Sequence, residues 1–332
     1  MGSIAVAAES RITQGAFEFV AKRYPLGRAP PAGPGATGTD ACSRSWHSGT
    51  LAFPLRYPRE EELNDEKRMA MREIDYFGDD GTRLFAAGCG SGPVVVLLHG
   101  GGPDHHSLLP MAKRLADRFT VVVPDVRGYG RSVCRDPALH TWSRYADDVI
   151  ALLDHLGAPE AVVGGTGLGG TIALRTGLAF PARVRAVVVI SAEDIEDDEA
   201  KLAETALMDR FAERVRAEGI EAAWELFLPH LQPLIGNLVR SAIPRADPGS
   251  VAAAAAIGCD RSFRTLDELG ALEVPVLIVP GADDRHPAAV AERMSAAIPK
   301  ATLARNVSFD VLRTADDLAD AVVPEILQFL DN

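Results

Sequence analysis

Val94-Val95-Val96-Leu97-Leu98-His99-Gly100-Gly101-Gly102-Pro103 is the stretch on which the reading of the fold turns. Consecutive apolar residues without polar alternation suit a strand buried on both faces of a parallel sheet, and the glycines and proline end it abruptly. Similar runs stand at Thr120–Val123, Ala161–Val163, Val184–Ile190 and Val274–Val279. Upstream, residues 72–77 and 82–87 flank Gly78-Asp79-Asp80-Gly81 and predict a hairpin. Helical patterns lie between the runs. Residues Thr141–Leu156 keep Trp142, Tyr145, Val149, Ile150, Leu153 and Leu156 on one face, and Gly157 supplies a left-handed stop. Thr314 and Asp317 resemble a capping box opening a helix toward Leu330, in which Pro324 is expected to kink or interrupt the chain. Strands alternating with helices predict an α/β sheet covered on both faces.

About eighty residues separate the run ending near Ser191 from the one starting near Val274, far more than a crossover needs. They hold amphipathic patterns (Leu207, Phe211, Val215; then Trp224, Phe227, Leu228, Leu231) and an Ala-rich helix after Asp247-Pro248. A helical cap inserted over the carboxyl edge of the sheet, at about residues 193–270, is expected. The acidic run from Glu193 to Glu199 reads as a solvated face. At the other end, residues 25–39 contain four prolines and four glycines, a linker composition. Residues 1–68, with a short amphipathic segment at Ile12, Phe17 and Val20, therefore read as an extension of a core at 69–332.

Composition narrows the function. Of 332 residues, 47% are hydrophobic and 24% charged, a globular balance. The net charge of −12 repels phosphate backbones and anionic surfaces, so neither nucleic acid nor membrane is an expected partner. No apolar run approaches the roughly 20 residues of a membrane helix. The first residues lack a basic leader, and Val6 stands where a myristoylation signal needs a hydroxyl, so a cytoplasmic location is expected. Cys42, Cys89, Cys134 and Cys259 are scattered without metal-ligand or redox spacing.

Four landmarks in order resemble the α/β-hydrolase superfamily over residues 69–332, with the epoxide-hydrolase, lactonase and proline-iminopeptidase-like branches nearest in pattern. They are His99-Gly100-Gly101-Gly102-Pro103, then Asp125-Val126-Arg127-Gly128-Tyr129-Gly130-Arg131-Ser132, then Gly165-Thr166-Gly167-Leu168-Gly169-Gly170, and last Gly281-Ala282-Asp283-Asp284. The resemblance implies the α/β-hydrolase fold, a mostly parallel sheet flanked by helices with an inserted helical cap. It also implies a nucleophile on a sharp strand-to-helix turn and an oxyanion hole from backbone N–H groups, here Gly101 and Leu168. The nucleophile position, however, is Gly167. Making Thr166 the nucleophile instead puts Leu168 where a small residue is needed. Counting back from Leu312 places the histidine position on Ser308. Asp284 matches the acid, with Asp283 the close alternative. A Ser-His-Asp mechanism is therefore not expected.

His105 and His106, directly after the oxyanion loop, and His286, two residues past Asp284, are candidates to replace the base, since imidazole moves protons near neutral pH. Gly102, Thr166 and Trp224 are candidate substrate contacts. Asp104 and His105 with Asp284 or His286 match no ligand spacing, so no metal is expected. Gly165-x-Gly167-x-Gly169-Gly170 departs from G-x-G-x-x-G, and no nucleotide or other cofactor is expected. The resemblance implies a small apolar substrate with a carbonyl or similar oxygen. The chemistry would be proton abstraction, elimination, lyase-type or rearrangement chemistry, cyclisation, or direct water addition in biosynthesis. The alternative is a non-catalytic binding protein that keeps the pocket. Neither oligomeric state nor substrate identity is legible.

Overall fold

In the computed structural model, which describes residues 70–193, 195 and 197–332, one eight-stranded sheet runs in the order β1-β2-β4-β3-β5-β6-β7-β8. β1 (Arg72–Phe77) and β2 (Arg83–Gly90) form the hairpin, and β2 meets β4 (Thr120–Pro124) antiparallel. The remaining neighbours are parallel: β3 (Val94–Leu98), β5 (Ala161–Thr166), β6 (Val184–Ile190), β7 (Val276–Val279) and β8 (Ala301–Leu303). The sheet is thus mostly parallel with helices on both faces, as its alternating pattern predicts.

The apolar runs are continuous because each strand feeds two cores. Val96 and Leu98 join one cluster, with α2 (Trp142–His155), α3 (Leu168–Ala179) and α8 (Ala288–Ala297) packed on it; Val95 and Leu97 join the other, under α1 (Leu109–Leu115) and α9 (Ala315–Leu330). Thr141 caps α2 by accepting from Arg144 N at 3.2 Å. The box at Thr314 is present in both directions, Asp317 N to Thr314 Oγ1 at 3.1 Å and Thr314 N to Asp317 Oδ2 at 2.9 Å. Pro324 does not interrupt α9: the helix is continuous through it, anchored by buried Leu318, Val322, Val323 and Ile326 around the lost hydrogen bond.

Between β6 and β7 the chain builds α4 (Asp198–Glu218), α5 (Ile220–Trp224), α6 (Pro233–Ala242) and α7 (Pro248–Ala254). These helices share a separate apolar cluster including Phe211, Val215, Trp224, Phe227, Val239 and Val251. The pattern from Trp224 to Leu231 is not one helix. α5 stops at Trp224 and a single 3₁₀ turn spans Leu228–His230, with Pro229 at its start. None of the described helices is long and apolar enough to cross a membrane. The segment holding Ile12, Phe17 and Val20, the Pro/Gly-rich stretch and Cys42 lie outside the described residues.

Candidate active site

β5 runs into α3 through one residue, Gly167, at φ 49° and ψ −115°. That left-handed conformation strains any L side chain by about 1–3 kcal/mol and suits glycine. Gly167 N donates to Ile190 O at 2.9 Å and Gly167 O accepts from Thr171 N at 3.1 Å, so the turn is fixed from both sides. The flanking residues must be small. A Cβ at Gly165 or Gly169 would stand 2.4 or 2.2 Å from Leu98 O, because strand and helix meet there almost backbone to backbone. Thr166 ends β5 in regular pairing with Ile190, so it lines the cavity without occupying the turn.

His286 borders the side-chain position that Gly167 leaves open. A Cβ built on Gly167 would lie 3.1 Å from His286 Nε2. The ring is held from behind, with His286 Nδ1 2.8 Å from Asp283 Oδ1. The same carboxylate accepts from His286 N at 2.9 Å, Arg285 N at 3.0 Å and Gln232 N at 3.2 Å. Burial would raise the Asp283 pKa, but the bonds from His286 and the backbone outweigh it and hold it below the ordinary carboxylate range. In the neutral ring an ionised Asp283 places the proton on Nδ1, and it is then the Nε2 lone pair that faces Gly167.

The loop at residues 99–103 lines the cavity with Gly100, Gly101 and Pro103. His99, fully buried, accepts from Val126 N at 2.9 Å through Nε2 and bonds Gly100 O at 2.7 Å through Nδ1, which fixes the loop. Burial lowers its pKa, in keeping with this neutral, structural arrangement. Leu168 is the first residue of α3, and the opening N–H groups of a helix have no partner within it. Gly101, Thr166, Gly167, Leu168 and His286 line one cavity of about 290 Å³. The inserted helices give it an apolar wall that includes Met208, Phe211, Trp224, Phe227 and Leu231.

Other candidates fall elsewhere. Asp284 lines the cavity, but its nearest imidazole is His230, at 3.6 Å, and the acid behind His286 is Asp283. That corrects the first choice at this loop. His105 is tied to Asp125 through both N and Nδ1 at 2.8 Å and lies outside the lining, where it braces the turn after β4. His106 is exposed and leans on His105. Asp104, His105 and His106 bring ligand atoms within 4.8 Å of one another, yet Asp104 is engaged by Arg245 at 2.6 and 3.1 Å. Ser308 is exposed, opens the 3₁₀ turn Phe309–Val311 and is not among the residues that line the cavity. Gly102 does not face the cavity either, since the Trp224 ring sits 2.4 Å from where its Cβ would be.

Among the lining residues that the sequence does not single out are His230 and Glu193. His230 carried no expectation. Glu193 belongs to a run that reads as a solvated face, whereas its Oε1 lies 3.8 Å from the Cβ position at Gly167 and its Oε2 accepts from Thr171 Oγ1 at 3.2 Å. The available signal was its place directly after β6, at the carboxyl end of a strand beside the elbow.

The model of the alpha/beta hydrolase family matches residues 95–321. An uncharacterized protein of Mycobacterium tuberculosis is 29% identical over 140 residues, 42% of this chain and 41% of that one. The 2-(acetamidomethylene)succinate hydrolase of Mesorhizobium japonicum is 32% identical over 128 residues, 39% of this chain and 43% of the relative. The chain thus spans about two fifths of the length of these curated relatives. Among solved structures, a thermophilic esterase from Thermogutta terrifontis superposes with a TM-score of 0.67 at 27% identity, over 78% of this chain and 98% of that one.

Proposed function

We propose, from the premise that this chain belongs to the alpha/beta hydrolase family, that it is an enzyme whose base is His286 and that it works without a serine nucleophile. The observation that supports this is His286 Nε2, 3.1 Å from where a side chain on Gly167 would begin, with Nδ1 held by Asp283. In the serine mechanism that point belongs to the nucleophile. Here it is open to substrate, within reach of a base and beside the amides of Gly101 and Leu168.

The substrate is a small, largely apolar molecule bearing a carbonyl. Its oxygen accepts from the two amides and its α-carbon takes the vacant point. His286 Nε2 removes the α-hydrogen, and the electron pair moves onto the carbonyl oxygen as an enolate. Asp283 stabilises the imidazolium. One such amide donor contributes about 3–4 kcal/mol to stabilising a developing oxyanion, and a positioned base about 10²–10⁴-fold in rate. The enolate then takes back a proton, rearranges, or expels a β-substituent.

Direct water addition is the second reading, supported by the hydrolase and esterase names of the relatives. A water at the vacant point would be activated by the same Nε2 and attack the carbonyl. Incubation of both mirror-image forms of N-acetylphenylalanine methyl thioester in deuterated, ¹⁸O-enriched water separates the two. Proton abstraction puts deuterium at the α-carbon, and His286→Gln should cut this by about 10²–10⁴-fold for at least one form. Cleavage with ¹⁸O in the acid and no deuterium favours water addition. Binding with neither product favours a pocket without chemistry. Deuterium uptake untouched by His286→Gln would overturn the assignment of the base.

A further inference from the structure

A second acid/base group faces the vacant point. Glu193 Oε1 lies 3.8 Å from the Cβ position at Gly167, against 3.1 Å for His286 Nε2. The two side chains arrive from different strands, Glu193 after β6 and His286 in the loop after β7. Thr171 Oγ1 donates to Glu193 Oε2 at 3.2 Å, which anchors one carboxylate oxygen and leaves the other turned toward the cavity. Both residues line the cavity. Tyr129 lies close by, its hydroxyl 3.8 Å from the Cβ position at Gly101. Burial foremost, and Glu193 in its carboxylate state, raise its pKa and keep the phenol protonated as a donor on that side of the cavity.

A hydrolase that passes one proton between a serine and a leaving group needs a single imidazole. Two proton-transfer groups at one point allow more. A hydrogen taken from a carbon by one group can be replaced by a hydrogen from the other, without the carbon leaving its place. We propose that Glu193 is a second proton-transfer residue, and that with His286 it inverts a stereocentre α to a carbonyl, an epimerisation of an acyl compound. This rests on the reading of His286 as a base.

The step balances without an added reactant. For one configuration the C–H bond breaks toward His286 Nε2 and its electron pair delocalises onto the carbonyl oxygen. The new C–H bond forms from the carboxyl proton of Glu193. The enzyme is left with imidazolium and carboxylate, the state that accepts the mirror-image form: Glu193 is then the base and His286 the acid. Exchange with water restores either state, so each inversion carries one solvent hydrogen into the product.

The test uses the two mirror-image thioesters in deuterated water, read by mass and by chiral separation. In the wild type both forms should gain one deuterium and interconvert. Glu193→Gln keeps the shape and an oxygen for Thr171 but cannot shuttle the proton. It should slow interconversion by about 10²-fold or more, while one form still exchanges its hydrogen with retention. His286→Gln should spare the other form. That continued exchange also reports that each variant is folded. Interconversion at the wild-type rate in Glu193→Gln would overturn the role of Glu193 and leave His286 standing. Loss of exchange from the same form in both variants would equally overturn the two-group arrangement. No exchange of either form in the wild type would take down the base assignment itself.

Discussion

At Gly167 the missing side chain and the imidazole beside it are one feature, because His286 Nε2 could not approach this closely past an ordinary serine at rest. A Cβ there would sit at 3.1 Å, slightly inside normal contact, so Gly167→Ser requires the ring to give by a few tenths of an ångström. The elbow backbone would then present a hydroxyl to an oriented base. We expect Gly167→Ser to become labelled by a fluorophosphonate that leaves the wild type untouched, with mass spectrometry placing the adduct on residue 167; an unlabelled variant would mean that Nε2 is misaimed. Asp283→Asn tests the other end of the dyad. An amide there can donate to Nδ1 and select the tautomer whose Nε2 carries the proton. Deuterium uptake should fall by about 10²-fold or more with the fold intact by circular dichroism. The sequence placed His286 and its acid within three residues of each other, yet favoured Asp284 over Asp283. The choice depends on a turn in which Asp283 Oδ1 collects the N–H groups of Arg285 and His286. No periodicity governs side-chain direction in such a loop.

Among the elements, what was legible is what repeats. Runs buried on both faces gave β3 and β6 to the residue, because an interior strand keeps Val94–Leu98 and Ala186–Ile190 continuously apolar; Arg185, near the start of β6, is exposed. β8 was missed: Ala301–Leu303 is three residues long and half exposed, a pairing decided by β7 rather than by its own pattern. Pro324 does not interrupt its helix. Its local penalty is outweighed by the buried face of α9, whose Leu318, Ala319, Val322 and Ile326 are essentially inaccessible. The start of that helix was legible because a capping box is a local rule. Thr314→Ala removes the acceptor for Asp317 N and should cost about 1 kcal/mol in urea unfolding. A loss well under that would show that packing alone sets where α9 begins.

Across the whole molecule, the inserted helices are held to the sheet by contacts at its carboxyl edge. Arg245 grips Asp104, Arg285 pairs with Glu204 at 2.8 Å, and Cys134 N donates to Ser250 Oγ at 3.0 Å. His140 lies beneath this seam with 1% of its surface exposed. Nε2 bonds Cys134 O at 3.1 Å and Nδ1 bonds the Tyr145 hydroxyl at 2.9 Å, an arrangement that a neutral ring satisfies by donating from Nε2 and accepting at Nδ1. Burial pushes its pKa down from 6.5 to about 4, opposed by the Cys134 carbonyl and aided by the charge of Arg127. The unfolded chain therefore takes up this proton more readily than the folded one. The stability that neutral His140 contributes is fully present above the unfolded pKa of about 6.5 and is lost as pH falls from there toward 4. At about 1.4 kcal/mol per pKa unit the loss approaches 3 kcal/mol. His140→Gln keeps a donor and an acceptor but does not titrate, so subtracting its urea-unfolding free energy from that of the wild type removes the other titrating groups. The wild-type advantage should shrink steadily between pH 7 and 4. A difference that stays flat over that range would mean that the imidazolium is accommodated at the seam, and that the contact with the Tyr145 hydroxyl can reverse its direction.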